Sequence, residues 1–303
     1  MDHLEQLRCL LAVAEAGSLA GAARRLGVSA PAVTRAIAAL EAKLGALLLQ
    51  RSTRSLRLTD AGERFIPDCR RILADLDEAQ AAVAGLHSEA RGVLALTAPQ
   101  LFGRLHVAPI VLDFLRAQPR VQVRCLLADR LVHLMDEGID VALRIAQLPD
   151  SGLTALQVGS LRRLVVAAPD YLARAGTPRT PQDLALHQGI GFSFDAVAAE
   201  AWKFRDGVQV QPQFAWVTNS NEVAINAAEA GQGLVRCLAY QAAEAVGSGR
   251  LRVVLREFEP PPVPVHIVYP AGRRAPAKVR AFIEFAAERL RAVAVLGGAE
   301  WPG

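Results

Sequence analysis

The chain has 303 residues, enough for two or three domains that each bury a core of their own. Hydrophobic residues make up 52% and charged residues 21%, a composition that argues against intrinsic disorder. No apolar run reaches the roughly 18–20 residues of a membrane span, and the N-terminus lacks the basic-then-apolar pattern of a signal peptide. We therefore expect a soluble, cytoplasmic protein with no membrane partner. Four scattered cysteines argue against a disulfide framework and against a zinc site of cysteine pairs.

The net charge of +4 is small, but the basic residues concentrate near one end. Between Arg24 and Thr59 there are seven basic residues and a single acid, Glu41. A basic block attached to a near-neutral remainder favours a module that binds a polyanion. The alternative is a solvated helix face.

Three short helices are predicted before residue 45. Apolar residues at helical spacing form the first helix, which ends at Gly17. Ser18 is a good N-cap for the second helix, which ends at Gly27. Ser29 caps the third helix, and Pro31 is tolerated in its first turn.

The third predicted helix has an apolar stripe and a small or polar opposite face. The stripe expected to face inward consists of Val33, Ile37, Leu40 and Leu44. On the outer face, Arg35 can bind a guanine edge or a phosphate, and Thr34 can do either or touch a thymine methyl. The pattern predicts a helix-turn-helix, with an ordinary three-helix bundle as the alternative. Its expected DNA contacts are Ser29, Ala30, Pro31, Thr34 and Arg35.

A wing is predicted directly after these helices. Residues 50–59 alternate apolar and basic side chains around a polar turn, which is typical of a two-stranded hairpin. Arg51 and Arg54 are expected to reach the DNA backbone or the minor groove.

These segments resemble the N-terminal signature of LysR-type transcriptional regulators. The matching segments are Ser18–Leu26, Ser29–Ile37, Leu40–Gly45, Arg51–Arg54 and Leu58–Gly62. The sequence departs from the family at Ala30, where a polar residue is frequent, and at Leu49, where Phe is usual. The resemblance implies sequence-specific binding to double-stranded operator DNA.

A long helix is predicted after Thr59. Its apolar and small residues alternate spacings of four and three, and they are Phe65, Cys69, Ile72, Leu76, Ala79, Val83 and Leu86. Such a narrow seam favours pairing with a second helix, and a homodimer supplies it most simply. A helix docked within its own chain is the alternative. Similar helices join LysR-type regulators into homodimers or homotetramers, so the resemblance implies the same.

From residue 92 onward, strands and helices alternate, which predicts an α/β fold with mostly parallel sheets. Expected strands cover residues 93–98, 121–126, 139–145, 163–168, 202–204, 214–218, 234–236 and 265–269. Expected helices cover residues 101–116, 131–137, 220–230 and 277–296. The last strand and helix have no partners in the second half and are expected to return to the first.

This part resembles the two-lobed, periplasmic-binding-protein-like effector domain of the same family. The matching residues in the second lobe are Ala168–Leu172, Gly176–Pro178, Pro181–Leu184 and His187. We therefore expect a winged helix-turn-helix domain at 1–59, a linker and dimerisation helix at 60–91, and an effector domain at 92–303. Lobe I is expected at about 92–162 and 268–303, and lobe II at about 163–267.

An effector is expected in the cleft between the lobes, where strand ends meet helix N-termini. Candidate contacts are Thr97, Ala98, Pro99, Gln100, Arg144, Phe192, Ser193, Asn219 and Ser220. Two helix ends and Arg144 favour an anionic effector. For each residue, helix capping or core packing is an equal alternative.

No catalytic motif is present: the sequence lacks G-x-S-x-G, Walker A, H-E-x-x-H and a three-glycine dinucleotide loop. The histidines are not at metal-ligand spacing, and a peroxide-sensing cysteine pair is not available because only Cys237 lies in the second lobe. We expect a transcriptional regulator rather than an enzyme, without cofactor or metal. Its partners would be operator DNA, a small-molecule effector, its own copies and RNA polymerase. The alternative is a solute-binding or transport module with an accessory helical domain.

Overall fold

The structure is a computed structural model. It describes residues 2–51, 56–83, 89–149, 152–194, 199–270 and 275–297. The chain divides into two compact units, Met1–Glu89 and Ala90–Gly303.

The N-terminal unit is mainly helical and carries one small hairpin. Its elements are α1 (His3–Ala16), α2 (Leu19–Leu26), α3 (Ala30–Leu44), β1 (Leu49–Arg51), β2 (Leu56–Leu58) and α4 (Asp60–Val83). The strands pair antiparallel, with Leu49 opposite Leu58, which confirms the predicted hairpin.

The caps expected from the sequence define the helix ends. The side chains of Ser18 and Ser29 accept hydrogen bonds from the amides of Gly21 and Ala32. Gly17 and Gly27 adopt positive φ at the ends of α1 and α2, a conformation that glycine reaches without steric cost. The helix-turn-helix geometry is therefore encoded locally.

The core of this unit contains the inward stripe of α3. Val33, Ile37 and Leu40 are buried, whereas Leu44 is 42% exposed, so its predicted inward position is wrong. Leu44 is the last residue of α3, and the helix ends at Gly45. Leu49, which stands where the family usually has Phe, is buried in this core.

Helix α4 begins against the same core. Cys69 is fully buried there and Phe65 packs against it, so these first two residues of the predicted seam contact their own chain. Ile72 is 39% exposed and Leu76 is half-buried. Leu86 lies outside the described residues. The surface left for a partner helix therefore starts about two turns later than the heptad pattern predicted.

The C-terminal unit follows with an α/β arrangement. Its first elements are β3 (Gly92–Ala98), α5 (Gln100–Phe102), a π-helical turn (Gly103–Val107), α6 (Ala108–Ala117), β4 (Val121–Leu127), β5 (Val141–Ile145) and β6 (Leu153–Leu161). The middle elements are β7 (Arg163–Ala167), α7 (Pro169–Ala175), a 3-10 turn (Pro181–Leu186), β8 (Gln188–Phe192), β9 (Trp202–Lys203), a 3-10 turn (Arg205–Gly207), β10 (Gln209–Val210), β11 (Gln213–Thr218) and α8 (Asn221–Glu229). The last are β12 (Leu234–Leu238), α9 (Ala239–Gly247), β13 (Arg252–Val254), a 3-10 turn (Arg256–Phe258), β14 (Val263–Pro270), α10 (Ala277–Arg291) and a 3-10 turn (Ala294–Leu296).

Two five-stranded sheets define two lobes. Lobe I has the strand order β4-β3-β5-β14-β6, and lobe II has β11-β8-β12-β7-β13. Strand β14 joins lobe I antiparallel to β5 and β6, so the chain returns to its first sheet as predicted. Both sheets are mixed rather than mostly parallel, since β7 and β13 also run antiparallel to their neighbours. The whole strand 263–270 belongs to lobe I, so the expected boundary near residue 267 falls inside it.

The predicted helix at 131–137 is wrong, because these residues form a loop and turn. Arg130 donates two hydrogen bonds, of 2.8 and 2.7 Å, to the carboxylate of Glu137. This local ion pair joins the two ends of the segment and stabilises a closed loop in place of a helix.

Candidate functional site

The outer face of α3 is open to solvent. Ser29, Pro31 and Arg35 are exposed, while Ala30 and Thr34 are partly exposed. Because Val33, Ala36 and Ile37 hold the opposite side in the core, the outer face is fixed in direction. All five residues predicted to contact DNA from this helix and its cap are therefore accessible together.

The hairpin adds basic residues to the N-terminal unit. Arg51 is the last residue of β1, and Arg57 is exposed on β2. Arg54 lies outside the described residues.

The C-terminal unit contains a cavity of about 620 Å³ between its lobes, within the range of small-molecule sites. Lobe I contributes Pro99, Asp129 and Ile145. Lobe II contributes Arg163, Phe192, Ser193, Phe194, Glu200, Trp202, Asn221, Arg236 and Cys237. The junction of β12 and α9 contributes Leu238, Tyr240 and Gln241.

Tyr240 lines this cavity and contacts lobe I. Its ring packs edge-on against Phe102 of lobe I at 5.3 Å between centroids, and against His106 at 5.7 Å. Burial lowers the pKa of His106, which favours the neutral imidazole beside this ring. An aromatic cluster of Phe102, His106 and Tyr240 therefore packs beside the cavity.

Polar groups of lobe I near the cavity form hydrogen bonds within the chain. The Thr97 hydroxyl donates to the Leu126 carbonyl at 2.8 Å, and the Gln100 amide donates to Asp129 Oδ1 at 3.0 Å. The anion expected at this helix N-terminus is thus a carboxylate of the chain itself. Of the four residues predicted here, Pro99 lines the cavity, whereas Thr97, Ala98 and Gln100 do not.

The other predicted anion contacts are also not among the residues that line the cavity. Arg144 donates to the Val132 carbonyl at 2.7 Å, and burial lowers its pKa. The Ser220 side chain accepts from the Val223 amide and caps α8, and Asn219 is exposed beside it. Asn221, which was not among the predicted effector contacts, lines the cavity.

The lobe II wall contains charged residues that the sequence interpretation missed. Phe192 and Ser193 were predicted, but Arg163, Arg236 and Glu200 were not. Burial lowers the pKa of Arg163, and burial together with repulsion from Arg163 lowers the pKa of Arg236 to about 10. The sequence did contain a signal for this wall: Arg236 lies inside the otherwise apolar segment Leu234–Leu238. A charge in such a segment is costly to bury without a purpose.

Cys237 is the cysteine at this wall. It is buried, and that burial raises the pKa of its thiol to about 12. A thiol of this kind is protonated at neutral pH and is not a reactive nucleophile.

Two family models match the chain. The helix-turn-helix model of lysR-family bacterial regulatory proteins covers residues 4–63, and the LysR substrate binding domain covers residues 87–291. The chain belongs to the LysR family of transcriptional regulators.

Individual relatives agree over nearly the full length. An HTH-type transcriptional regulator of Xanthomonas campestris pv. campestris is 36% identical over 96% of this chain and 86% of the relative. The regulator PtxR of Pseudomonas aeruginosa is 34% identical over 95% of this chain and 93% of its own. The solved structure of CrgA, a LysR-type regulator from Neisseria meningitidis, superposes with a TM-score of 0.61 at 29% identity, covering 94% of this chain and 98% of CrgA.

This LysR-type regulator therefore combines a helix-turn-helix DNA-binding domain with a two-lobed effector-binding domain. The cavity between its lobes lies in the domain that the family uses for effectors. Among the described residues, none of the helices combines the length and the apolar character needed to span a bilayer.

Proposed function

We propose that this LysR-type regulator binds its operator through Ser29, Ala30, Pro31, Thr34 and Arg35, supported by Arg51 and Arg54 of the wing. The carrying observation is the exposed outer face of α3, whose inner face is locked in the core. A small residue such as Ala30 lets the helix lie close to the major-groove floor, and Arg35 supplies the bidentate donor that a guanine edge accepts.

The assembly we propose is a homodimer paired through the part of α4 beyond Cys69, with a homotetramer as the larger assembly. Exposure of Ile72 supports this surface. Two copies present two recognition helices, which suits a palindromic operator. A sedimentation experiment that found only monomer at micromolar concentration would contradict the pairing.

The effector binds in the cleft of the C-terminal unit and shifts the assembly by preferring one of its arrangements. We expect the regulator to act in the cytoplasm, where its operator DNA is found. RNA polymerase is the partner through which a bound regulator acts on transcription. We expect no catalytic activity.

Arg35→Ala tests the recognition helix. Loss of a base contact should weaken operator binding by about 1–3 kcal/mol, or roughly 5- to 150-fold, and should relax base preference at one position. A mobility-shift titration with the natural and mutated operators measures both effects. Arg116→Ala removes the same charge from an exposed position of the C-terminal unit and should leave binding unchanged. Equal binding by Arg35→Ala and the unaltered protein would contradict the assignment.

Salt separates this function from the solute-binding alternative. Binding to promoter fragments should fall steeply between low and physiological salt, because each phosphate contact releases counterions. A protein that shows no affinity for duplex DNA even in dilute buffer would support the alternative.

A further inference from the structure

Two arginines lie next to each other on the lobe II wall of the cleft. Arg163 begins β7, and Arg236 lies in the adjacent antiparallel strand β12. Leu238 pairs with Arg163 in the register of the two strands. Directly paired residues of neighbouring strands project from the same face, so Arg163 and Leu238 share a face. Residues two apart on one strand also share a face, so Arg236 projects from that side of the sheet as well. All three line the cavity.

Neither guanidinium has an ion-pair partner in the part of the chain that the structure describes. Arg236 donates to the Lys203 carbonyl at 3.4 Å, a long contact, and Arg163 has no hydrogen bond to a described residue. Arg162, the preceding residue, behaves differently: it donates to both oxygens of Glu259, at 2.8 and 2.7 Å. Of these two consecutive arginines, Arg162 is neutralised within the chain, whereas Arg163 lines the cavity without an ion-pair partner among the described residues.

The carboxylates near the cleft do not neutralise the pair. Asp129 already accepts the Gln100 amide, and Glu200 is an exposed residue that attracts both arginines without forming an ion pair with either. Two adjacent positive charges in a partly desolvated wall are unfavourable until an anion joins them. The wall therefore favours a ligand that carries a negative group.

An apolar surface lies beside the arginines. Phe192 and Phe194 contact each other edge to face, at 5.3 Å between ring centroids, and Phe194 is 67% exposed. Trp202 is buried and also lines the cavity. Aromatic side chains of this kind bind rings and other flat apolar groups well.

We propose that the cleft binds an organic acid whose carboxylate lies between Arg163 and Arg236 and whose aromatic or apolar body lies against Phe192 and Phe194. The inference rests on the proposed function, since it names the class of effector that the cleft accepts. Each guanidinium offers parallel N–H donors that match the two oxygens of a carboxylate. In this proposal Arg163 and Arg236 bind the anion, rather than Arg144 and the helix ends.

Calorimetric titration of the full-length protein tests the inference. The probes are benzoate and phenylacetate, with benzamide and phenylacetamide as neutral analogues of the same shape and benzylamine as a cation. We expect at least one acid to bind and its amide to bind about tenfold or more weakly, because a charge-assisted hydrogen bond is lost. Arg163→Gln and Arg236→Gln should each weaken the acid about tenfold or more.

Two control variants make the outcome decisive. Arg252→Gln removes an exposed arginine from β13 of the same sheet and should leave the affinity for the acid unchanged. Phe194→Ala alters the apolar edge of the cleft and should weaken any ligand bound there, whatever its charge.

Three results would overturn the inference: no binding of either acid at millimolar concentration, equal binding of acid and amide, or acid binding that both arginine variants retain. Operator binding is measured on the same preparations. If it persists while a neutral or cationic probe binds in a manner sensitive to Phe194→Ala, the regulator function stands and only the acid class is wrong. If operator binding itself is absent, the proposed function fails.

Discussion

Two groups of buried or half-buried cations occur in the C-terminal unit, and they differ in their partners. Lys278 is 6% exposed, donates to the Val93 carbonyl at 2.6 Å and lies 3.6 Å from Asp140. Arg162 is paired just as fully with Glu259. Arg163 and Arg236, on the cleft wall, have no such carboxylate among the described residues.

The difference separates charges that maintain the fold from the charges that we propose bind a ligand. A cation that stabilises the fold is neutralised within the chain, because burying it alone would cost several kcal/mol. The cleft arginines lack a carboxylate partner among the described residues, and Arg236 makes only a long contact to the Lys203 carbonyl, an arrangement that costs stability and leaves most of their donors available. The contrast can be tested by removing one charge from each group.

The largest effect is expected for Asp140→Ala. Asp140 accepts the Ala95 amide at 2.8 Å and faces Lys278, so the substitution leaves a buried ammonium without its carboxylate. We expect the free energy of unfolding to fall by about 3 kcal/mol. Urea unfolding followed by circular dichroism measures it. Asp113→Ala removes an exposed carboxylate from an i,i+3 pair and should change stability by less than about 0.5 kcal/mol. Similar losses in the free energy of unfolding for the two variants would show that the buried ion pair stabilises the fold no more than an exposed one.

A smaller effect of opposite sign is expected for Arg163→Gln. The substitution relieves burial of a charge and repulsion from Arg236, and no ion pair with a described residue is lost. The free energy of unfolding should stay constant or rise by up to about 1 kcal/mol. The same urea experiment applies. A clear loss of stability would show that Arg163 is a structural residue and would weaken the assignment of the pair to a ligand.

The smallest effect concerns an exposed ion pair between the lobes. Arg104, in the π-helical turn of lobe I, bonds Glu222 at the start of α8 in lobe II, and both side chains are at least half exposed. A double-mutant cycle with Arg104→Gln and Glu222→Gln should give a coupling of about 0.2–1 kcal/mol, reduced by salt. A larger coupling that persists in salt would mean that this pair, too, holds the lobes together.

Much of the N-terminal unit could be predicted because its determinants are close in sequence. Ser18 and Ser29 start helices whose first amides they cap, and Gly17 and Gly27 end helices with a positive φ. Leu44 was misplaced because helical periodicity does not show where a core ends. Phe65 and Cys69 fit a heptad seam equally well whether the partner is another chain or the unit itself.

The cleft was predicted less well because helix ends and strand ends are only potential ligand sites. Gln100 and Ser220 stand where an anion could bind, yet Asp129 and the amide of Val223 already satisfy them. Asp129 lies far along the chain from Gln100, so no local pattern reveals this competition.

The sequence alone determined the family, the helix-turn-helix with its outward Arg35, and the alternation of strands and helices, since capping, periodicity and turn chemistry act over a few residues. Which polar groups are satisfied within the chain, and which remain available in the cleft, depends on contacts that form only on folding. Arg162 and Arg163 are adjacent, yet one meets Glu259 and the other faces the cavity. That distinction depends on residues nearly a hundred positions away, which only folding brings into contact.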